Sequence, residues 1–183
     1  MMATVIRTST TSVPKLPPWF LAYEIRIDPK PFARGSFATV HRGVRGSDKK
    51  VVVKCFLVDG ADVDEQTRQN IEAEMNLWHQ FDHPNVVKLL GASHMSTPPF
   101  IVCEDATNGD LRSVLARSEA NKLQQWKLLF QAALGLEYIH KKSVVHGVLK
   151  LNNVLVGVEG QAKLSDLGLS AVRTSAILSE TTP

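Results

Sequence analysis

The spacing of apolar residues changes along this chain, and the change limits the folds that it can adopt. Apolar runs bounded by turn residues, the pattern of β-strands, lie at residues 24–27, 32–44, 51–57, 86–93, 100–104, 154–156 and 162–164. Helical spacing replaces this pattern at residues 62–81, where Asp62 and Glu65 are placed as a capping box, and again at residues 123–142. The sequence therefore predicts an α+β fold, with a small antiparallel sheet and helices packed beside it.

Each predicted helix has an apolar stripe that should face the core. In the first helix the stripe consists of Ile71, Met75, Trp78 and Phe81. In the second helix it consists of Trp126, Leu129, Phe130, Ala133 and Leu136.

Composition excludes several classes of protein. The chain has 183 residues, enough for one domain or for two small lobes around a cleft. A net charge of +3 without any long block of like charges gives no reason to expect nucleic-acid binding. Cys55 and Cys103 lie in separate apolar runs, which suggests neither a disulfide framework nor a zinc site.

The N-terminal end differs in composition from the rest of the chain. Residues 1–18 are rich in Ser, Thr and Pro, so residues 1–22 are expected to be a disordered leader or a linker. No apolar run has the length of a signal-peptide core or of a membrane span. We therefore expect a soluble, cytoplasmic protein without a membrane segment.

Residues that could take part in binding or catalysis follow one another in a distinctive order. Ala33 to Val40 form a turn with one glycine, Gly35, and the strand Val51-Val52-Val53 ends in Lys54. A lysine in such a run is costly to bury without an anion. Further along are the stretch His146 to Asn153, which reads HGVLKLNN, and the triplet Asp166-Leu167-Gly168.

This order resembles a protein kinase domain over residues 23–170. His83-Pro84-Asn85 before the 86–93 run and Asn108-Gly109-Asp110-Leu111 make it most similar to the tyrosine-kinase-like group of Ser/Thr kinases. The resemblance implies a two-lobe fold. Residues 23–104 would form an N-lobe with an antiparallel sheet and helix C, and residues 105–183 an incomplete C-lobe ending at the start of the activation segment.

The resemblance also implies ATP and Mg²⁺ as cofactors and assigns roles to individual residues. Lys54 would pair with Glu74 and contact the phosphates, and Lys150 would reach the transferred phosphoryl group. Asn153 and Asp166 would bind the metal. The nucleotide pocket would be lined by Ala33, Gly35, Ala38, Val40, Val52, Cys103, Glu104, Ala106 and Leu155.

A second group of residues would serve packing in such a fold. Trp78, Leu89, His146 and Leu167 match the column of side chains that joins the two lobes of kinases. His79 and His83 are spaced like a metal pair, but we interpret one as a helix cap and the other as part of the following turn.

The catalytic loop departs from the family pattern H-R-D-L-K-x-x-N at two positions. Gly147 replaces the arginine, and Val148 replaces the aspartate that accepts a proton from the substrate hydroxyl. A positioned base contributes roughly 10² to 10⁴ in rate, and an isopropyl group accepts no proton. The sequence therefore favours a domain that binds Mg²⁺-ATP but is impaired in catalysis, that is, a pseudokinase. We expect its partners to include a protein partner or a protein substrate.

Two alternatives remain open at this point. The first is an active Ser/Thr protein kinase that transfers the γ-phosphate of ATP to protein hydroxyls. The second is a scaffold module that functions without a nucleotide.

Overall fold

The computed structural model describes residues 16–21, 25–35, 38–57, 64–106, 108–117 and 122–167. Its strands are β1 (Ile25–Ile27), β2 (Ala33–Arg34), β3 (Ala38–Arg45), β4 (Lys49–Phe56), β5 (Leu89–Ser93), β6 (Phe100–Glu104), β7 (Val154–Val156) and β8 (Ala162–Leu164). Its helices are α1 (Glu65–Trp78), α2 (Leu111–Arg117) and α3 (Lys122–Lys141), with a 3-10 turn at Leu151–Asn153.

The strands form two antiparallel sheets. The larger sheet has the order β1-β3-β4-β6-β5, and the short strand β2 pairs with β3. The smaller sheet pairs β7 with β8 around the turn at Glu159 and Gly160. The α+β fold expected from the sequence is therefore confirmed.

The two faces of strand β4 contribute to two different hydrophobic clusters. Val51 and Val53 are 1% and 0% exposed and form one small core with Val102 and Leu21. Successive side chains of a strand alternate between faces, so Val52 and Lys54 point to the opposite side. The main hydrophobic core lies on this opposite side, because it contains Phe56 of β4 and Cys103 of β6 together with residues of α1 and α3.

Helix α1 begins later than the sequence suggested. Asp64, not Asp62, is the N-cap, because its carboxylate accepts hydrogen bonds from the backbone N–H and the hydroxyl of Thr67, at 2.9 and 2.6 Å. These hydrogen bonds hold the pKa of Asp64 below its usual value. The predicted capping box is therefore wrong, and Asp62 itself lies outside the described residues.

Helix α3 occupies the predicted residues but buries a different face. Trp126, Leu129 and Phe130 are 69%, 42% and 64% exposed, whereas Leu128 and Ile139 are buried. Of the predicted stripe, Leu136 packs against the core, whereas most of the other members face away from it. Gly135 explains the choice of face, since a Cβ there would lie 2.4 Å from the carbonyl oxygen of Asn85, and only glycine permits this approach of helix to backbone.

The segment between α1 and β5 joins the larger sheet to α3 and β8. The Asn85 side chain donates to the carbonyl of Ala162 at 2.8 Å, and its own backbone carbonyl accepts the N–H of Leu164 at 2.9 Å. The Trp78 indole donates to the carbonyl of Val87 at 2.9 Å. These buried hydrogen bonds link the α1 side of the fold to the strand that leads to Asp166.

Part of the expected leader is packed against the core. Trp19 is 2% exposed and belongs to the main hydrophobic cluster, and Leu21 is also buried. The expectation of a disordered leader or linker over residues 1–22 is therefore corrected for residues 16–21, because burial of these apolar side chains offsets the entropy of ordering them. The rest of that predicted leader, residues 1–15 and 22, lies outside the described residues.

None of the helices in the described part of the chain combines the length and the apolarity needed to cross a bilayer.

Candidate functional site

The register of the larger sheet brings predicted pocket residues to one face. Val40 of β3 lies directly opposite Lys54 of β4 on one side and Ala33 of β2 on the other. Val52, two residues before Lys54, lies opposite Cys103 of β6. Directly paired residues of an antiparallel sheet share a face, so these side chains line the same surface.

Lys54 and Asp166 form an ion pair across this surface. The Lys54 ammonium contacts Oδ1 of Asp166, and both side chains are 18% exposed. Asp166 has a φ of 60°, a left-handed conformation that is uncommon outside glycine and is found at functional sites. Glu74, the partner predicted for Lys54, lies on α1 and is 6% exposed. The Lys54–Glu74 pair stays a prediction.

Asn153 is fixed beside the strand that leads to Asp166. It is 4% exposed, and its side-chain nitrogen donates to the carbonyl oxygen of Val148 at 2.8 Å. Its backbone carbonyl accepts the N–H of Ser165 at 2.8 Å and the Ser165 hydroxyl at 3.1 Å. Ser165 precedes Asp166, so the two predicted metal ligands are connected through a buried hydrogen-bond network.

The loop between α3 and the 3-10 turn is more open. His146 is 1% exposed and belongs to the interior, as expected for a packed histidine. Gly147 has a φ of 74°, which favours glycine, and Lys150 is exposed. Val148 is half-buried and contributes its backbone carbonyl to Asn153, while its side chain contains no proton acceptor.

Cys103 and Glu104 mark the end of β6 but face opposite sides. Burial raises the pKa of the Cys103 thiol to about 12, against a smaller lowering by the charge of Lys54. Cys103 is therefore an apolar wall near that ammonium. Oε1 of Glu104 accepts from Lys163 Nζ at 2.9 Å and from the backbone N–H of Lys88 at 2.8 Å, and the Glu104 backbone N–H donates to the carbonyl of Lys88 at 3.1 Å.

The remaining residues predicted to line the pocket lie on three other segments. The backbone N–H of Gly35 donates to the carbonyl of Ala38 at 2.9 Å, which closes the β2–β3 turn. Leu155 of β7 packs against the main cluster that also contains Cys103. Ala106 follows β6 and is partly exposed. The structure describes all the predicted site residues, although Gly168 of the Asp-Leu-Gly triplet lies outside the described residues.

The predicted packing residues are buried as a group. Trp78, Leu89, His146 and Leu167 are 1%, 6%, 1% and 1% exposed. His79 is the C-cap of α1, and Nδ1 of His83 accepts the N–H of Asn85 at 3.1 Å while its ring stacks on Tyr138. Both histidines therefore have the structural roles predicted for them.

The chemistry of the site favours a phosphorylated ligand with a hard cation. Within the residues that the structure describes, no three His, Cys, Asp or Glu side chains are grouped as a metal site. Mg²⁺, however, is commonly held by one or two protein oxygens together with water and phosphate oxygens. The carboxylate of Asp166, the amide of Asn153 and the ammonium of Lys54 fit such a ligand.

Two contacts at this site were missed by sequence reasoning. Arg42 lies 3.6 Å from the carboxylate of Asp105 and connects β3 to the segment after β6. Ser165 connects Asn153 to the Asp166 strand end. A serine beside the Asp-Leu-Gly triplet was visible in the sequence, but nothing in its spacing indicated which carbonyl it would bind.

Comparison with known proteins gives a consistent result. The family described as protein tyrosine and serine/threonine kinase matches residues 29–181. The chain is 31% identical to Tyrosine-protein kinase Fer of Homo sapiens over 169 residues, 91% of this chain and 20% of that protein. It is 33% identical to an Aurora kinase of Schizosaccharomyces pombe over 147 residues, 77% of this chain and 40% of that relative.

A plant relative extends the comparison. The chain is 31% identical to Mitogen-activated protein kinase kinase kinase 1 of Arabidopsis thaliana over 140 residues, 76% of this chain and 23% of that protein. The chain thus spans between 20% and 40% of the length of these three relatives.

Proposed function

Because this chain belongs to the protein tyrosine and serine/threonine kinase family, we propose that its cleft binds Mg²⁺-ATP and transfers phosphate slowly or not at all. Members of this family typically use ATP and Mg²⁺. The observation that carries the proposal is the Lys54–Asp166 ion pair, which joins the sheet to the strand end beside Asn153.

Each of these side chains would have a separate task in binding. The Lys54 ammonium would contact the phosphates, and Asp166 compensates its charge at this partly buried position. Asp166 and Asn153 would supply the oxygen ligands of Mg²⁺, which neutralises phosphate charge when bound. Glu74, buried on α1, would orient Lys54 from the other side.

The adenine end of the proposed site is apolar. Ala33, Val40 and Val52 share a face of the sheet with Cys103, and Leu155 would close the pocket from β7. Ala38 and Gly35 would border the phosphates at the turn. The backbone of Glu104 and Ala106 would supply the polar contacts to the base, since the Glu104 side chain is engaged with Lys163.

Impaired transfer is proposed from the loop rather than from the binding residues. Val148 occupies the position of the proton acceptor, and the sequence between Lys141 and Val158 contains no other carboxylate. Lys150 remains available to contact a transferred group because it is exposed. Losing a positioned base lowers the rate by roughly 10² to 10⁴, whereas binding through charge and metal is retained.

Thermal unfolding with and without Mg²⁺-ATP tests the binding proposal. A ligand at a hundredfold its Kd stabilises the folded state by about 2.7 kcal/mol, so the wild-type chain should melt at a higher temperature. Lys54→Met should abolish this shift, and Lys50→Met is the matched control because Lys50 is an exposed lysine on the same strand. Absence of a shift in the wild type would instead favour the scaffold interpretation.

Active phosphate transfer is the second candidate, because the relatives are named as kinases. Incubation of the purified chain with labelled ATP and a generic protein substrate separates the two candidates. Turnover that Lys54→Met removes would establish an active kinase acting on protein hydroxyls. We place the domain in the cytoplasm as part of the proposal, since Cys55 and Cys103 are free thiols.

A further inference from the structure

Arg42 of β3 lies on the face of the larger sheet that carries the predicted pocket residues. Its carbonyl oxygen accepts the N–H of Asp28 at 2.8 Å, and the residue lies directly opposite Val52 of β4. Val52 in turn lies opposite Cys103 of β6. Directly paired residues of an antiparallel sheet share a face, so the Arg42 side chain leaves the sheet on the same side as Val52 and Cys103.

The Arg42 guanidinium reaches across β4 to the segment after β6. Its Nη1 lies 3.6 Å from Oδ2 of Asp105, and the two side chains are 56% and 9% exposed. Strands β3 and β6 are both neighbours of β4, which places them about 10 Å apart. The side chain must therefore cross the face of β4 to form this ion pair, and the pair connects β3 to the residue just before Ala106.

The same guanidinium lies over the ring of Phe32. Its Cζ is 4.8 Å from the ring centroid, which is a cation–π distance. Phe32 immediately precedes Ala33 of β2, and its N–H donates to the carbonyl of Val40 at 2.9 Å. The ring is 52% exposed, so the guanidinium covers an aromatic surface that the hydrophobic core does not enclose.

We propose that Arg42 is a positioning residue, which sets the opening of the proposed cleft at its adenine end by holding Phe32 on one side and Asp105 on the other. These two residues precede Ala33 and Ala106, which are both predicted to line the nucleotide pocket. A pocket whose walls are already in place loses less conformational entropy when a ligand binds. The effect on nucleotide affinity rests on the proposed function, whereas the ion pair itself does not.

The first test measures the ion pair in the absence of nucleotide. Urea unfolding of the wild type, Arg42→Met, Asp105→Asn and the double variant gives the coupling between the two side chains. This coupling should change the unfolding equilibrium constant by about two- to fivefold, the usual size for an ion pair near the surface. Strictly additive effects of the two substitutions would overturn the proposal.

The second test measures the Kd for Mg²⁺-ATP by calorimetry. Arg42→Met should raise this Kd by about 3- to 10-fold, because it removes the ion pair and the cation–π contact together. Arg42→Lys keeps the charge without the planar guanidinium and should recover part of the loss.

Arg26→Met is the matched control, since it makes the same change in net charge on the neighbouring strand β1. The Arg26 guanidinium donates to the carbonyls of Gly46 and Ser47 at 3.3 and 3.4 Å, so it is engaged at the turn between β3 and β4. This variant should keep the wild-type Kd. A rise equal to that in Arg42→Met would mean that net charge, and not position, is responsible, and would overturn the proposal.

Adenosine separates positioning from attraction of the phosphates. Adenosine and Mg²⁺-ATP present the same base, so Arg42→Met should raise both Kd values by the same factor. Lys54→Met should weaken Mg²⁺-ATP far more than adenosine, because Lys54 is the proposed phosphate contact. A loss in Arg42→Met that is confined to Mg²⁺-ATP would show that Arg42 attracts phosphate charge, and the positioning role would be overturned.

The outcomes also separate this inference from the proposed function. If the wild-type chain binds neither ligand, the proposed function fails, and the urea experiment alone decides whether Arg42 holds Asp105. If the wild type binds and Arg42→Met has the same Kd, the positioning role is overturned while the proposed function stands.

Discussion

The two sides of the proposed cleft differ in how firmly their residues are held. On the sheet side, Lys54 is paired with Asp166, and the strand end before Asp166 is bonded to Asn153. On the loop side, Gly147 and Lys150 are exposed, and Val148 contributes to the network only through its backbone. The network that would hold a nucleotide is therefore independent of the side chain at position 148.

This difference explains how binding and transfer can be separated in one fold. A backbone carbonyl is present whatever side chain the residue carries, so the hydrogen bond from Asn153 does not require an aspartate at position 148. The Lys54–Asp166 ion pair is formed by other segments and does not depend on the side chain at position 148 either. Substitutions on the two sides should therefore change transfer and binding separately.

Restoring the proton acceptor should have the largest effect. In Val148→Asp, we expect phosphate transfer to rise by roughly 10² to 10⁴ over the wild type, because a positioned base contributes that factor. Labelled-ATP transfer to a generic protein substrate measures it. Val148→Asn is the control, since the amide has a similar shape but accepts no proton at neutral pH. Equal rates in the two variants would contradict the assignment.

Removing the charge on the sheet side should weaken binding instead. In Asp166→Asn, we expect the Kd for Mg²⁺-ATP to rise by about 10- to 100-fold, the equivalent of losing a hydrogen bond between charged groups. Calorimetry in Mg²⁺ buffer measures the change. Asp82→Asn breaks the exposed ion pair with Lys88 and should leave the Kd unchanged. If Asp166→Asn binds Mg²⁺-ATP with the wild-type Kd, Asp166 does not contribute to nucleotide binding.

A third prediction concerns the support beneath the loop side. Gly135→Ala should lower the free energy of unfolding by about 1 to 3 kcal/mol, because the new Cβ would meet the Asn85 carbonyl at 2.4 Å. Helix propensity alone predicts the opposite sign, since alanine favours helices over glycine by about 1 kcal/mol. Urea unfolding distinguishes the two, and a more stable variant would show that α3 can move away from Asn85.

The smallest effect is expected from His83, which links the α1 side to α3. Burial lowers the pKa of His83, with a smaller opposing effect of Glu137 and a lowering effect of Lys163. The unfolded chain therefore takes up a proton more readily than the folded one, and stability should fall as pH drops below about 6.5.

The effect should stay below about 1 kcal/mol, because His83 is partly exposed and screened by solvent. His83→Asn keeps an acceptor near the Asn85 N–H but has no proton to gain in this range. Comparing its unfolding free energy with that of the wild type at neutral and mildly acidic pH isolates the contribution. If the difference in unfolding free energy between the two proteins is the same at both pH values, the prediction is contradicted.

Much of the fold could be predicted because its signals are local. Strands β6, β7 and β8 have the predicted bounds, and α3 differs from its prediction by one residue at each end. The cap of α1 was placed at Asp62 because Asp62 and Glu65 have the spacing of a capping box, whereas the carboxylate that caps the helix is that of Asp64, through Thr67. The short helix α2 was not predicted, although Asp110 caps it by accepting the N–H of Ser113 at 2.8 Å.

The sequence could propose the members of the site but not their contacts. The order of Lys54, Asn153 and Asp166 along the chain matches the order of motifs in the family, and this match is the basis of the proposal. Their mutual contacts depend on residues far apart in sequence: Lys54 and Asp166 are separated by 112 positions. The pairing of Arg42 with Asp105 and the docking of Trp19 on Asn76 have no local signal either.

Local patterns along the chain were enough to establish the alternation of strands and helices, the family, and the absence of a carboxylate at position 148. Three-dimensional packing alone decided which face of α3 is buried, that residues 16–21 belong to the folded part, and that Asp166 contacts Lys54. The physical reason is that strand and helix periods arise from neighbouring residues. The choice among several apolar faces or several carboxylates depends instead on the shape and charge of segments that meet only in the folded chain.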